Sequence, residues 1–168
     1  MKRTLLALLS LGSLALAPAC AVIHPSQWTA EEIPMCSQMR LWEITRLAME
    51  KNGFPIVASG FDPKERTAVS GWDRQLHPFK GNGIRERVHV RFRRSENAGQ
   101  LVVGVRVEQE VNENLARPLD PEYAEWIEAD DNPDRAKVVL QYMRSMLGQE
   151  LSVGKTVSEA GMEDESWR

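Results

Sequence analysis

Hydrophobic residues recur along this chain with three different patterns. From Leu5 to Ala17 they run almost unbroken. From Ser37 to Asn52 they return at helical spacing, with Leu41, Ile44, Leu47 and Ala48 on one face and Glu43, Arg46 and Glu50 opposite. Ser37 supplies a capping hydroxyl and Gly53 a stop. From Ile84 to Arg94 the period falls to two: Val88, Val90 and Phe92 alternate with Arg87, His89, Arg91 and Arg93. Leu101 to Val111 answers with Leu101, Val103, Val105 and Val107 on one side, across a turn containing Asn97 and Gly99. Two shorter strands, 54–60 and 66–72, flank the turn Asp62-Pro63-Lys64-Glu65, and Pro55 suits an edge position. Asn132-Pro133-Asp134 opens a last helix, whose apolar stripe is Ala136, Val139, Leu140, Met143, Met146 and Leu147, and Gly148 ends it.

One architecture buries all of these stripes. It is an α+β domain over residues 36–148, with an antiparallel sheet of about four strands and two amphipathic helices packed on one face. Residues 112–132 are acidic and loop-like, with a short helix expected at 120–126 and Tyr123, Trp126 and Ile127 covering an open edge of the core. Residues 20–35 lack a period, hold Pro25 and Pro34, and predict a tether carrying His24 and Trp28. Residues 149–168 are polar and acidic and predict a disordered tail.

The first run is an export signal. Lys2 and Arg3 precede it and Ala17-Pro18-Ala19 closes it, so residues 1–19 are expected to be removed. The run is too short to span a bilayer, which takes about 20 apolar residues. Leu16-Ala17-Pro18-Ala19-Cys20 also resembles a bacterial lipobox, in which the cysteine becomes a lipidated first residue. Ala21 follows Cys20, and by resemblance to the Gram-negative sorting rule its not being Asp points to the outer membrane. The rival reading is plain secretion with a Cys20–Cys36 disulfide. The chain has 21 Lys and Arg against 24 Asp and Glu, a formal charge of -3 that becomes more acidic once Lys2 and Arg3 leave. That balance argues against a nucleic-acid partner. Two cysteines argue against a disulfide-rich scaffold.

The strongest chemical feature is a basic strand. Arg85, Arg87, His89, Arg91 and Arg93 share one face, with Arg94 adjacent. In a hairpin register pairing Ile84 with Val111, Arg87 faces Glu108 and Arg85 faces Glu110, so cross-strand ion pairs account for part of the row. Arg91 and Arg93 face Gly104 and Val102 and are left unpaired, which makes Arg91, Arg93 and Arg94 the candidates for binding an anionic envelope polymer or a protein partner. Signals for catalysis are poor. His24, His77 and His89 lie far apart, and an Asp73…His77 pair in a loop is the best that can be assembled. Gly154-Lys155-Thr156 lacks the spacing and strand–loop–helix context of a phosphate loop. The acidic residues Glu122, Glu125, Glu128, Asp130, Asp131 and Asp134 lack the pattern of a calcium loop. No cofactor and no metal site are expected.

Leu41-Trp42, Phe54-Pro55, Asp62-Pro63 and a strand closing on Trp72, behind a lipobox-like cysteine, resemble small envelope lipoproteins with a BamC-like, helix-grip-type domain over about residues 36–111. The resemblance implies an accessory part in outer-membrane assembly and carries over no functional residue. The expectation is a non-enzymatic, membrane-anchored envelope lipoprotein that acts by binding, on the periplasmic face of the outer membrane. The alternatives are a periplasmic binder of anionic glycan or lipid through the basic strand face, and an enzyme centred on Asp73 and His77.

Overall fold

A computed structural model of the chain describes residues 24–76 and 82–147. The predicted signal, Cys20, His77, the 149–168 tail and Gly154-Lys155-Thr156 lie outside the described residues.

The centre of the molecule is an antiparallel hairpin of β5 (Ile84–Arg94) and β6 (Gln100–Asn112). Its register is the expected one, with Ile84 opposite Val111, Arg87 opposite Glu108 and Arg94 opposite Leu101. Gly99 takes φ +77° in the connecting turn, a conformation that favours glycine. Val88, Val90 and Phe92 face Val107, Val105 and Val103, and all six are buried.

Around this hairpin the sheet is more subdivided than the sequence predicts. Among the described residues it has seven strands rather than about four. The outer edge of β6 is shared by β1 (Thr29–Pro34) and β7 (Trp126–Glu128). The outer edge of β5 is shared by β3 (Thr67–Val69) and β4 (Asp73–Gln75), and β2 (Phe61–Asp62) adds to β3. Three expectations are corrected here. Residues 29–34, assigned to a tether, form β1, because Ile33 drops into the core and the strand satisfies the otherwise open edge of β6. The strand expected at 54–60 is absent. Pro55 cannot donate to a ladder, Phe54 is buried below α1, and Gly60 lies against Val69, where an added Cβ would stand 2.0 Å from its carbonyl oxygen. The helix expected at 120–126 is instead a turn leading into β7, organised by buried Asn112, whose Oδ1 accepts from the Asn114 and Glu125 amides.

Among the described residues, two α-helices cover one face. α1 (Gln38–Lys51) is capped by Ser37, whose hydroxyl accepts from the Arg40 amide. It buries Leu41, Ile44, Ala48 and Met49. α2 (residues 133–147) starts at Asn132, whose side chain accepts from the Arg135 amide, and buries Ala136, Val139, Leu140, Met143 and Leu147. Both stripes join the inward valines of β5 and β6 in one core, which is the α+β class expected.

Candidate functional site

The face of the sheet opposite the helices carries the basic row, and most of its charge is matched. Arg85 pairs with Glu110, and its guanidinium lies 4.4 Å from the Trp72 ring centre and 4.8 Å from that of Trp126. Arg87 donates to both Glu108 oxygens at 2.6 and 3.1 Å and covers the Trp72 ring at 4.4 Å. His89 Nε2 donates to Glu108 at 2.7 Å. Burial pushes the His89 pKa down, and the Arg87 and Arg106 charges add to this against the pull of Glu108. The ring is therefore held neutral with its proton on Nε2. Burial opposes the charge on Glu108, yet the hydrogen bonds from Arg87 and His89 outweigh it and hold the carboxyl below the usual range. Arg106 reaches Asp131 at 2.7 Å, and that contact raises its pKa.

The candidate residues of this row separate. Arg91, expected to be unpaired, stacks on Trp28 at 3.8 Å. The stack needs Gly104 beneath it, where an added Cβ would meet Arg91 Nε at 3.1 Å and Trp28 at 3.4 Å. Arg93 stays on the exposed face with no ion pair among the described residues. Arg94 falls on the opposite side of the pleat, toward the helices, and there it lines a cavity.

That cavity, of about 430 Å³, lies between the start of α1, the turn before β3, and the far end of the hairpin. Leu41, Trp42, Phe92 and Leu101 form its apolar side, with Met35 and Cys36 beside them. Lys64, Arg66 and Arg94 bring positive charge, and no Asp or Glu among the described residues lines it. Local geometry sets the first two. Asp62 Oδ1 accepts from the Lys64 and Glu65 amides, and Arg66 adopts φ +56° while its carbonyl accepts from the Phe92 amide. Trp42 packs edge-on against Phe61 and Phe92, and its indole N–H is buried with no acceptor. Sequence reasoning reached Arg94 but missed Lys64, Arg66 and Trp42. The signal available was two cations within a proline turn that follows an amphipathic helix in the chain.

The remaining candidates are structural. Asp73 accepts from Arg135 Nη2 at 2.7 Å, and Arg135 also pairs with buried Glu86, donates to the Asn52 carbonyl at 2.8 Å and covers the Phe54 ring. Asn132 Nδ2 donates to Glu86 at 2.8 Å. This network ties both helices to β4 and β5. Of the acidic cluster, Asp130 meets His24, Asp131 meets Arg106 and the Gln27 amide, and Asp134 meets Lys137. Among the described residues no three His, Cys, Asp or Glu side chains converge on a metal-sized site. Comparison with protein-family models and with curated protein sequences gave no match.

Proposed function

We propose that this chain is a non-enzymatic envelope lipoprotein, anchored through a lipid on Cys20, whose α+β domain is a binding and accessory module held close to the membrane. The observation that carries this reading is how early the described chain is tied down. His24 Nδ1 meets Asp130 at 2.9 Å, the Gln27 amide donates to Asp131 at 2.6 Å, and Trp28 covers Arg91 before β1 begins. The three residues between Cys20 and His24 let the domain stand off its anchor by no more than about 14 Å. A module held that near a bilayer suits work on membrane-bound partners, which agrees with the resemblance to outer-membrane accessory lipoproteins.

Cys20→Ala tests this in the native host. The wild-type chain should fractionate with membranes and carry lipid mass on its N-terminal peptide, and the variant should be released in soluble form. Identical fractionation of the two, with no lipid mass on the wild type, removes the anchor. A second reading, binding of an anionic ligand, is favoured by the cavity beside α1 rather than by the strand row, whose charges are mostly matched.

A further inference from the structure

We infer that the cavity between α1 and the far end of the hairpin is a binding site for an anionic amphiphile, a carboxylate or phosphate head group carrying an apolar tail. The inference does not depend on the lipid anchor.

Its volume of about 430 Å³ is within the range of small-molecule sites. The lining has two chemistries. One side is Leu41, Trp42, Phe92 and Leu101, where Leu41 and Phe92 are continuous with the buried core. The other side is Lys64, Arg66 and Arg94, and none of these three forms an ion pair among the described residues. This contrasts with the outer face of the same sheet, where Arg85, Arg87 and Arg106 are each matched by a carboxylate. Three like charges around one concavity repel one another, and an anion placed among them relieves that repulsion. The first turn of α1 opens beside the cavity and carries no acidic residue to offset its amide dipoles, which acts in the same sense. The left-handed backbone of Arg66 costs conformational energy, and it sets the Arg66 carbonyl on the Phe92 amide at the cavity wall. A bare anion would leave the apolar side wet, and a neutral lipid would leave three cations unmatched. An amphiphilic anion answers both.

The test uses the full-length chain carrying Cys20→Ala, titrated in a calorimeter with dodecyl phosphate below its micelle concentration, dodecanol below its solubility limit, and inorganic phosphate. Dodecyl phosphate should bind at one site. Dodecanol and inorganic phosphate should each bind more weakly, by about tenfold or more. Lys64→Gln with Arg94→Gln should reduce dodecyl phosphate binding by a similar factor. Both side chains are exposed, so the fold should survive, and an unchanged melting temperature checks this. Arg93→Gln on the opposite face should bind as the parent does. Equal binding of dodecanol, or a double variant as tight as the parent, overturns the charge recognition. Equal binding of inorganic phosphate reduces the site to one for free anions and overturns the amphiphile. Because the anchor is already absent in this protein, none of these outcomes bears on Cys20 lipidation.

Discussion

His89 holds its proton less tightly than an ordinary histidine of pKa 6.5, because it is half-buried beside Arg87 and Arg106. The unfolded chain, lacking that environment, takes up a proton as pH falls through 6.5, while the folded chain does so only at lower pH. Folding stability is therefore lost from about pH 7 downward. Glu108 adds a second, lower window. Its folded pKa is depressed below 4.5, so its contribution is present above that value and fades as pH falls through the folded one. Thermal melts across pH should show both declines. His89→Gln keeps a donor toward Glu108 and should flatten the upper one alone. The Arg135 cluster gives a larger effect. Glu86 is 1% exposed, and Arg135→Met strands its charge, which should cost about 3–5 kcal/mol in urea unfolding. Glu86→Gln with Arg135→Met should recover much of that loss, since Asn132 Nδ2 still has an oxygen to reach.

At the scale of elements, the N-terminal arm is held by the His24–Asp130 and Gln27–Asp131 contacts, the Trp28 stack and β1. Trp28→Ala removes the ring over Arg91 and should weaken the molecule by about 1 kcal/mol. Amide exchange should speed up in β1 more than in β5 or β6. How far each element was legible follows from how much of it is buried on one face. The hairpin register could be read because the buried valines alternate without a break on both strands. Both helices could be read because each has an apolar stripe and a capping residue. β1 could not, since Ile33 is its sole buried side chain and Glu31, Glu32 and Pro34 hide any alternation. It is a strand because β6 offers an edge, which is information about the neighbour. The break between β3 and β4 was hidden for a similar reason. Ser70 still bonds Val88 of β5, but Gly71 turns aside to the Pro55 carbonyl, and no local period records such contacts. The cavity was the least legible feature. Its walls come from positions 35–42, 63–66 and 92–101, and only the folded sheet brings Lys64, Arg66 and Arg94 to one side.

At the scale of the whole molecule, charge is sorted by face. The sheet surface away from the helices is cross-linked by Arg–carboxylate pairs and tryptophan rings, with Arg93 left over, and three unmatched cations, Lys64, Arg66 and Arg94, gather at the cavity. If the chain is anchored at Cys20 as proposed, the position of the domain relative to a bilayer would follow from the short N-terminal connection. Inserting about ten Gly and Ser residues after Ala21 should leave membrane fractionation intact, while the added chain allows a further root-mean-square separation of about 17 Å. Energy transfer from tryptophan to a head-group dye reads that change, and unaltered transfer would mean that something other than the anchor sets the distance.

The pairing of β1 with β6 also fixes an order of events in time. β5 and β6 meet across a tight turn and can associate as soon as both exist, whereas Thr29 must wait for Val105. During synthesis the amino-terminal strand emerges early and remains without a partner until β6 follows. It closes late, and as a six-residue edge with one buried side chain it can reopen without unfolding the hairpin. In a chain anchored at Cys20, each such opening lends residues 24–34 to the leash, at about 3.5 Å per residue. The reach of the domain from its membrane would then be governed by a folding equilibrium as well as by linker length.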